Sequence, residues 1–317
     1  MNIVELPMAA LAWLGRQGTR ALAVSIFIGL AVPSLAAYVK PHLAETVFVL
    51  LLFSYLRTDP SAFGRVVKAP RLAILAAVWI MVAVPLLFGT VYAVTGLRES
   101  QPALYTIMIL QLAIAPITSS AAFAALMGLD VALSLFALII CNALSPVTTV
   151  AFSYLFLGTS LISPLELGGK LLFFFAASGA VAWGIRRLAG QRWIEQQKEA
   201  IDGLNVIGVF VFAIAAMDGV PRHVMADPLF ALGLLALIIT LTLALIGMSA
   251  LVFARAGLDQ GLVIGLLAGF RNLGVVMAAL GTSLPELAWF YFALAQFPIY
   301  LFPALLKPLA RRFQQNR

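Results

Sequence analysis

Charge is what this chain has least of. Only 10 % of its 317 residues are Asp, Glu, Lys or Arg, against roughly 25 % in a soluble domain. Hydrophobic residues make up 63 % and the mean hydropathy is +1.05. That shortage excludes a water-soluble globular fold, and apolar stretches of about 20 residues, enough to cross a hydrocarbon core roughly 30 Å thick, recur along the chain. It reads as an integral membrane protein whose solvent is the lipid bilayer, with no soluble domain left over. Cysteine is nearly absent as well: Cys141 alone, inside an apolar run, allows no intrachain disulfide and reads as a small buried apolar residue. The two histidines, His42 and His223, lie apart in expected outer loops, and no acidic residue falls at mid-span. No cofactor, metal or enzyme chemistry is therefore expected. No signal peptide is expected either, since "MNIVELPMAALAWLGRQGTR" has no basic n-region and carries Arg16 and Arg20 after its apolar part. Residues 1–20 are expected as an amphipathic helix on the cytoplasmic interface.

What is present is a ladder of apolar segments. Breaks at charge, proline and glycine clusters predict ten helices at about 21–38, 43–57, 71–95, 103–127, 131–157, 166–187, 202–218, 228–255, 260–281 and 287–306, the second and seventh short. The net charge of +7 and pI of 9.9 come from loop residues, and no nucleic-acid partner is expected. With the N-terminus inside, fifteen basic residues fall on the inner side and four (Lys40, Arg98, Lys170, Arg222) on the outer, as the positive-inside rule requires. Both termini are thus expected in the cytoplasm, with the protein in the cell membrane, the inner membrane for a bacterial chain. Ten spans divide into a first repeat over about 21–157 and a second over about 166–306, followed by a basic tail at 307–317. An odd number of spans per half makes the second repeat inverted.

Two spans at matching places in the halves are interrupted. The fourth contains "QLAIAPITSSAAF", with Pro116 followed by Thr118, Ser119 and Ser120, and the ninth contains "AGFRNLG", with Gly269 and Gly274 around Arg271 and Asn272. Paired interruptions of this kind point to a midplane binding site in an inverted-repeat transporter. Pro85, Pro146, Pro298 and Pro303 read as kinks. Arg271 lies about 18 Å along the helix from Asp259 and about 22 Å from Glu286 at 1.5 Å per residue, too deep to snorkel and without an acid at its depth. Water in a cavity, backbone carbonyls of the broken fourth helix, or an anion from outside could satisfy it. Helix segments restarting after each break aim free N–H groups at the crossing. Together with Thr118, Ser119, Ser120 and Asn272, Arg271 is expected to bind an anionic group, its guanidinium holding a carboxylate bidentately.

The chain resembles the bile acid:sodium symporter family. The likeness is carried by "RTDPSAFGRVVKAPR" after the second span, "IAPITSSAAFAALMGLDVALS" across the fourth and fifth, "NALSPVTT" in the fifth, and "GLVIGLLAGFRNLGVVMAALG" in the ninth. The resemblance implies an all-α membrane fold of ten helices in two inverted five-helix repeats, with broken, crossing fourth and ninth helices. It also implies alternating access, with a core bearing the crossing that moves against a panel of the other spans. Sodium-using members place a glutamate and a glutamine at the ninth-helix break, where this chain has Leu267 and Arg271. Other sodium-ligand positions fall on Ile80, Ala121 and Leu138, whereas Ser120, Ser134 and Asn272 remain. The expectation is a secondary transporter of a small organic anion in which Arg271 stands in for sodium, so that sodium is not a partner. The alternatives are a conventional sodium:organic-acid symporter and, from another class, a membrane-embedded enzyme.

Overall fold

The computed structural model describes residues 10, 11, 13, 18–57, 71–158 and 163–315, the side chains of 18–23, 282 and 303–315 excepted. Most of the expected N-terminal interfacial helix, the loop motif "RTDPSAFGRVVKAPR" and the side chains of the basic tail lie outside these residues.

The chain is all-helical. In order it forms α1 (Gly18–Ala31), α2 (Pro33–Arg57), α3 (Arg71–Val94), α4 (Pro102–Ala113), α5 (Ser120–Met127), α6 (Val131–Leu157), α7 (Pro164–Ala189), α8 (Lys198–Ala216), α9 (Pro228–Val252), α10 (Leu258–Gly269), α11 (Leu273–Leu280) and α12 (Glu286–Gln315). Short helices at Leu97–Ser100, Gln191–Gln196 and Val220–Ala226 link them. Among the described residues six helices are long and apolar enough to cross a membrane: α2, α3, α6, α7, α9, and α8 with its continuation to Ala226.

Several boundaries move from their expected places. The first helix stops at Ala31 because Pro33 disfavours helical backbone at Val32, which is non-helical at φ −126° and ψ 74°. Helix resumes from Pro33 to Val39, and after a 3₁₀ turn at Lys40–His42, where a loop was expected, the second expected helix runs from Leu43 to Arg57 over 15 residues, with the bounds and the shortness expected of it. The seventh is not short: α8 begins at Lys198, because Asp202 in its first turns pairs with Arg57 at 2.6 Å and gives the polar residues there a partner.

Contacts divide the chain into two compact units. The first comprises Met1–Asp59 and Phe173–Pro228. In it Leu56, Ala182, Ile194 and Ile201 form a buried cluster, Arg186 donates to the last carbonyls of α2 at Tyr55 (3.1 Å) and Leu56 (3.0 Å), and Lys40 pairs with Asp218 at 2.9 Å.

The second unit comprises Pro60–Leu172 and Leu229–Arg317. Its core draws on α3, α5, α6, α9 and α10. α10 lies close on α9 through glycines four residues apart. A Cβ on Gly261 would stand 2.7 Å from the Ala250 carbonyl, one on Gly265 2.6 Å from that of Ile246, and one on Gly269 2.7 Å from the Ile246 side chain. Small residues at this spacing let two membrane helices approach backbone to backbone. At the start of α6, the Asp130 carboxylate accepts from Leu133 N at 2.9 Å.

Candidate functional site

The site lies wholly in the second unit and is built from two failures of helix. Pro116 disfavours helical backbone before it, so α4 ends at Ala113 and Ile114 is extended (φ −80°, ψ 154°). α10 ends at Gly269, with Phe270 at φ −100° and ψ 96°. The two unwound stretches satisfy each other as a single antiparallel pair, Pro116 opposite Arg271. Ile117 N donates to the Phe270 carbonyl and Asn272 N to the Ala115 carbonyl, each at 2.9 Å. Neither Gly269 nor Gly274 has a positive φ. The glycines flank the break rather than form it, and Gly269 is small for the sake of α9.

α6 completes the α4 break. Ser145 Oγ accepts from Ala115 N at 3.1 Å, and Thr149 Oγ1 donates to the Ala113 carbonyl at 3.1 Å. That carbonyl's ordinary helical donor, Ile117 N, is the one spent across the crossing. "NALSPVTT" is therefore the strip that services the broken backbone.

Arg271 is 1 % exposed. Its Nε donates to the Ala268 carbonyl at 2.8 Å, Nη1 to that of Ile114 at 2.9 Å, and Nη2 to that of Ile80 at 2.9 Å. Nη1 also reaches Met81 Sδ at 3.9 Å. Each oxygen is open for a local reason. Asn272 N, the helical donor for Ala268, bonds Ala115 instead. Ile114 stands past the end of α4. Ile80 sits in a π-helical turn, Trp79–Ala83, where Val84 N reaches back to the Trp79 carbonyl. In that register the next donor would be residue 85, a proline without an N–H. Pro85 therefore does more than kink α3: it leaves an acceptor for Arg271. Of the alternatives open in the sequence, backbone carbonyls satisfy this guanidinium, from three helices rather than the fourth alone. Of its five N–H groups, four are engaged, so in this conformation it offers no pair of parallel donors to a carboxylate.

The other site residues divide in two. Ser120 is buried, its Oγ donating to the Ile117 carbonyl at 2.7 Å. Thr118, Ser119 and Asn272 are half-buried. Ser119 and Asn272 immediately precede α5 and α11, yet neither side chain caps its helix. Both residue types are among those that most favour that duty.

The positions matched to sodium ligands are hydrocarbon in an apolar setting: Ile80 and Leu267 are fully buried, and Leu138 and Ala121 nearly so. Ser134 is buried as well. Among the described residues, no three of His, Cys, Asp and Glu come together as metal ligands. Cys141 is buried and free. His223 Nδ1 bonds the Gly219 carbonyl at 2.9 Å. Residues that sequence reasoning missed are Pro85, Met81, Ser145 and Thr149. The signal that could have found Pro85 is its position five residues after Ile80, itself picked out by the resemblance.

An all-helical membrane protein with a buried, arginine-braced crossing of two broken helices is the class that these features define. No protein-family model and no curated protein matches the chain.

Proposed function

We propose that the protein is a secondary transporter of a small organic anion, working by alternating access without sodium. The observation that carries this reading is the pair of eight-residue helices, α5 and α11, that restart at the crossing with Ser119 and Asn272 not capping them. The first N–H of each is already spent, Ser120 N on the Ile117 carbonyl and Leu273 N on that of Arg271, but a helix N-terminus that no side chain caps still presents further N–H groups and a positive dipole end, the environment an anion needs. Arg271 adds a fixed positive charge one residue from Asn272. It acts on the anion through its field, while Thr118, Ser119 and Asn272 make the hydrogen bonds.

The division of the chain supports the repeat reading. The six long helices, the broken pairs α4/α5 and α10/α11, and α1 and α12 make the ten spans of this proposal. The first unit then holds the first two spans of each half, apart from the start of α7 up to Leu172, and the second unit the last three of each. Like parts of two inverted repeats are thus grouped together, as in a panel and a core.

The resemblance to the bile acid:sodium symporter family supplies the transporter class, and the replacement of its ligand positions by Leu267, Arg271, Ile80, Ala121 and Leu138 argues for sodium independence. A thermal-shift screen of organic anions on the purified protein, in sodium and in potassium, tests the reading. Uptake of each hit into proteoliposomes follows. Hits that stabilise equally in both salts and are taken up are expected. Binding or uptake that requires sodium would return the conventional symporter, and turnover of a hit into product would return the enzyme.

A further inference from the structure

The carbonyl oxygens of Ile80, Ile114 and Ala268 come from three different helices, and all three point at one guanidinium. None has a donor within its own helix, for the reasons given above, and Met81 Sδ is a fourth acceptor beside them. Acceptors gathered in a dry interior with no donor of their own are costly unless a donor or a positive charge stands among them. The cluster is thus built for a cation, and its shape is specific. Each oxygen meets a different nitrogen, Nε, Nη1 or Nη2, so the acceptors line the edge of a plane. They do not surround a point, and a small spherical ion cannot reach all of them at once.

We propose that the Ile80, Ile114 and Ala268 carbonyls, with Met81 Sδ, form a binding site for planar guanidinium-type cations, filled in the native chain by the side chain of Arg271. The site goes beyond the carrier reading and does not rest on it, because its occupancy is read from folding and not from transport. Tethering makes the cation permanent: the clamp joining the π turn of α3 to the breaks after α4 and α10 stays closed whatever salt surrounds the protein.

The test is chemical rescue of the full-length chain in detergent. Arg271→Gly removes the tether and leaves the acceptors without a donor. Its unfolding midpoint should fall, and should rise again by about 3 °C or more in a saturable way with low-millimolar propylguanidinium, which restores the missing side chain. Guanidinium should act more weakly, and sodium, potassium and ammonium chlorides at the same concentration should have little effect. The wild-type protein and Arg271→Lys, whose site is occupied by its own cation, should show no rise. Absence of a saturable rise in Arg271→Gly overturns the proposal, as does a rise of equal size with sodium or in the wild type. If Arg271→Gly does not survive extraction, Arg271→Ala is measured in the same way with ethylguanidinium, one carbon shorter to leave room for the Cβ. The yield of folded protein extracted with and without the matching alkylguanidinium is then compared for both variants, and yields that do not change would also overturn the site.

Discussion

An arginine at the centre of a membrane helix costs roughly 2.5–3.5 kcal/mol on the insertion scale. Arg271 offsets this with three bonds to backbone oxygen, of a charge-assisted type worth about 1.5–3 kcal/mol each. Because those oxygens have no other donor, Arg271→Gln is expected to destabilise the protein by about 3–5 kcal/mol, the range for breaking a buried charged pair. Arg271→Lys should recover part of this, since a point charge cannot meet a planar set of acceptors. Denaturant unfolding in detergent measures both. Ser119 and Asn272 should behave in the opposite way. Neither side chain bonds its helix, so Ser119→Ala and Asn272→Ala should each move stability by no more than about 0.5 kcal/mol. Each should nevertheless weaken binding of a screened anion by about tenfold or more, the loss of one hydrogen bond to a charged group. Calorimetric titration separates the two classes. Anion affinity unchanged in both alanine variants would remove these residues from the site.

At the level of elements, the crossing depends on helices prevented from being regular. Pro85 withholds the N–H that would otherwise compete for the Ile80 carbonyl. Pro85→Ala restores that donor, so the Arg271 clamp should loosen even though a proline has been removed from a helix. The expected result is a fall in stability of roughly 1 kcal/mol, the worth of one net hydrogen bond, where replacing a mere kink would raise it. The α9–α10 contact gives a second expectation. A Cβ at Gly265 would stand 2.6 Å from the Ile246 carbonyl, so Gly265→Ala should force the two backbones apart and cost about 1–3 kcal/mol, as overpacking does. Gly233→Ala on α9, where an added Cβ meets nothing within 4 Å, is the matched control and should be neutral or stabilising. Thermal unfolding of the pair reads this directly.

For the whole molecule, the proposed arrangement ties sidedness to mechanism. On the proposed ten-span arrangement fifteen of the twenty basic residues fall on one side, and the positive-inside rule would put that side, with both termini, in the cytoplasm. Reporter fusions after Arg317 and beside Arg222 should therefore report opposite sides of the membrane. The same side at both would remove the inverted repeat and with it the pairing of the two breaks. If the proposed carrier reading holds, with the tethered guanidinium in the place of a movable cation, anion uptake should be unchanged when potassium replaces sodium.

Patterning alone was enough for the membrane class, the all-helical fold and the positions of both breaks. Long apolar runs, Pro116 and the polar pair Arg271–Asn272 are local features, and backbone chemistry responds to them locally. Where the seventh helix starts was not legible, because the Arg57–Asp202 pair that stabilises its first turns joins residues far apart in sequence. Backbone carbonyls were among the partners the sequence left open for Arg271, but which ones was not legible. A carbonyl is the same in every residue, and what singles out those of Ile80, Ile114 and Ala268 is that each has lost its helical donor while standing beside the others. Side-chain types named Arg271 and Ser120 as candidates for a ligand. Only the tertiary structure shows both engaged within the protein and Thr118, Ser119 and Asn272 still open, because hydrogen-bonding capacity belongs to a residue while its use depends on the neighbours that folding brings.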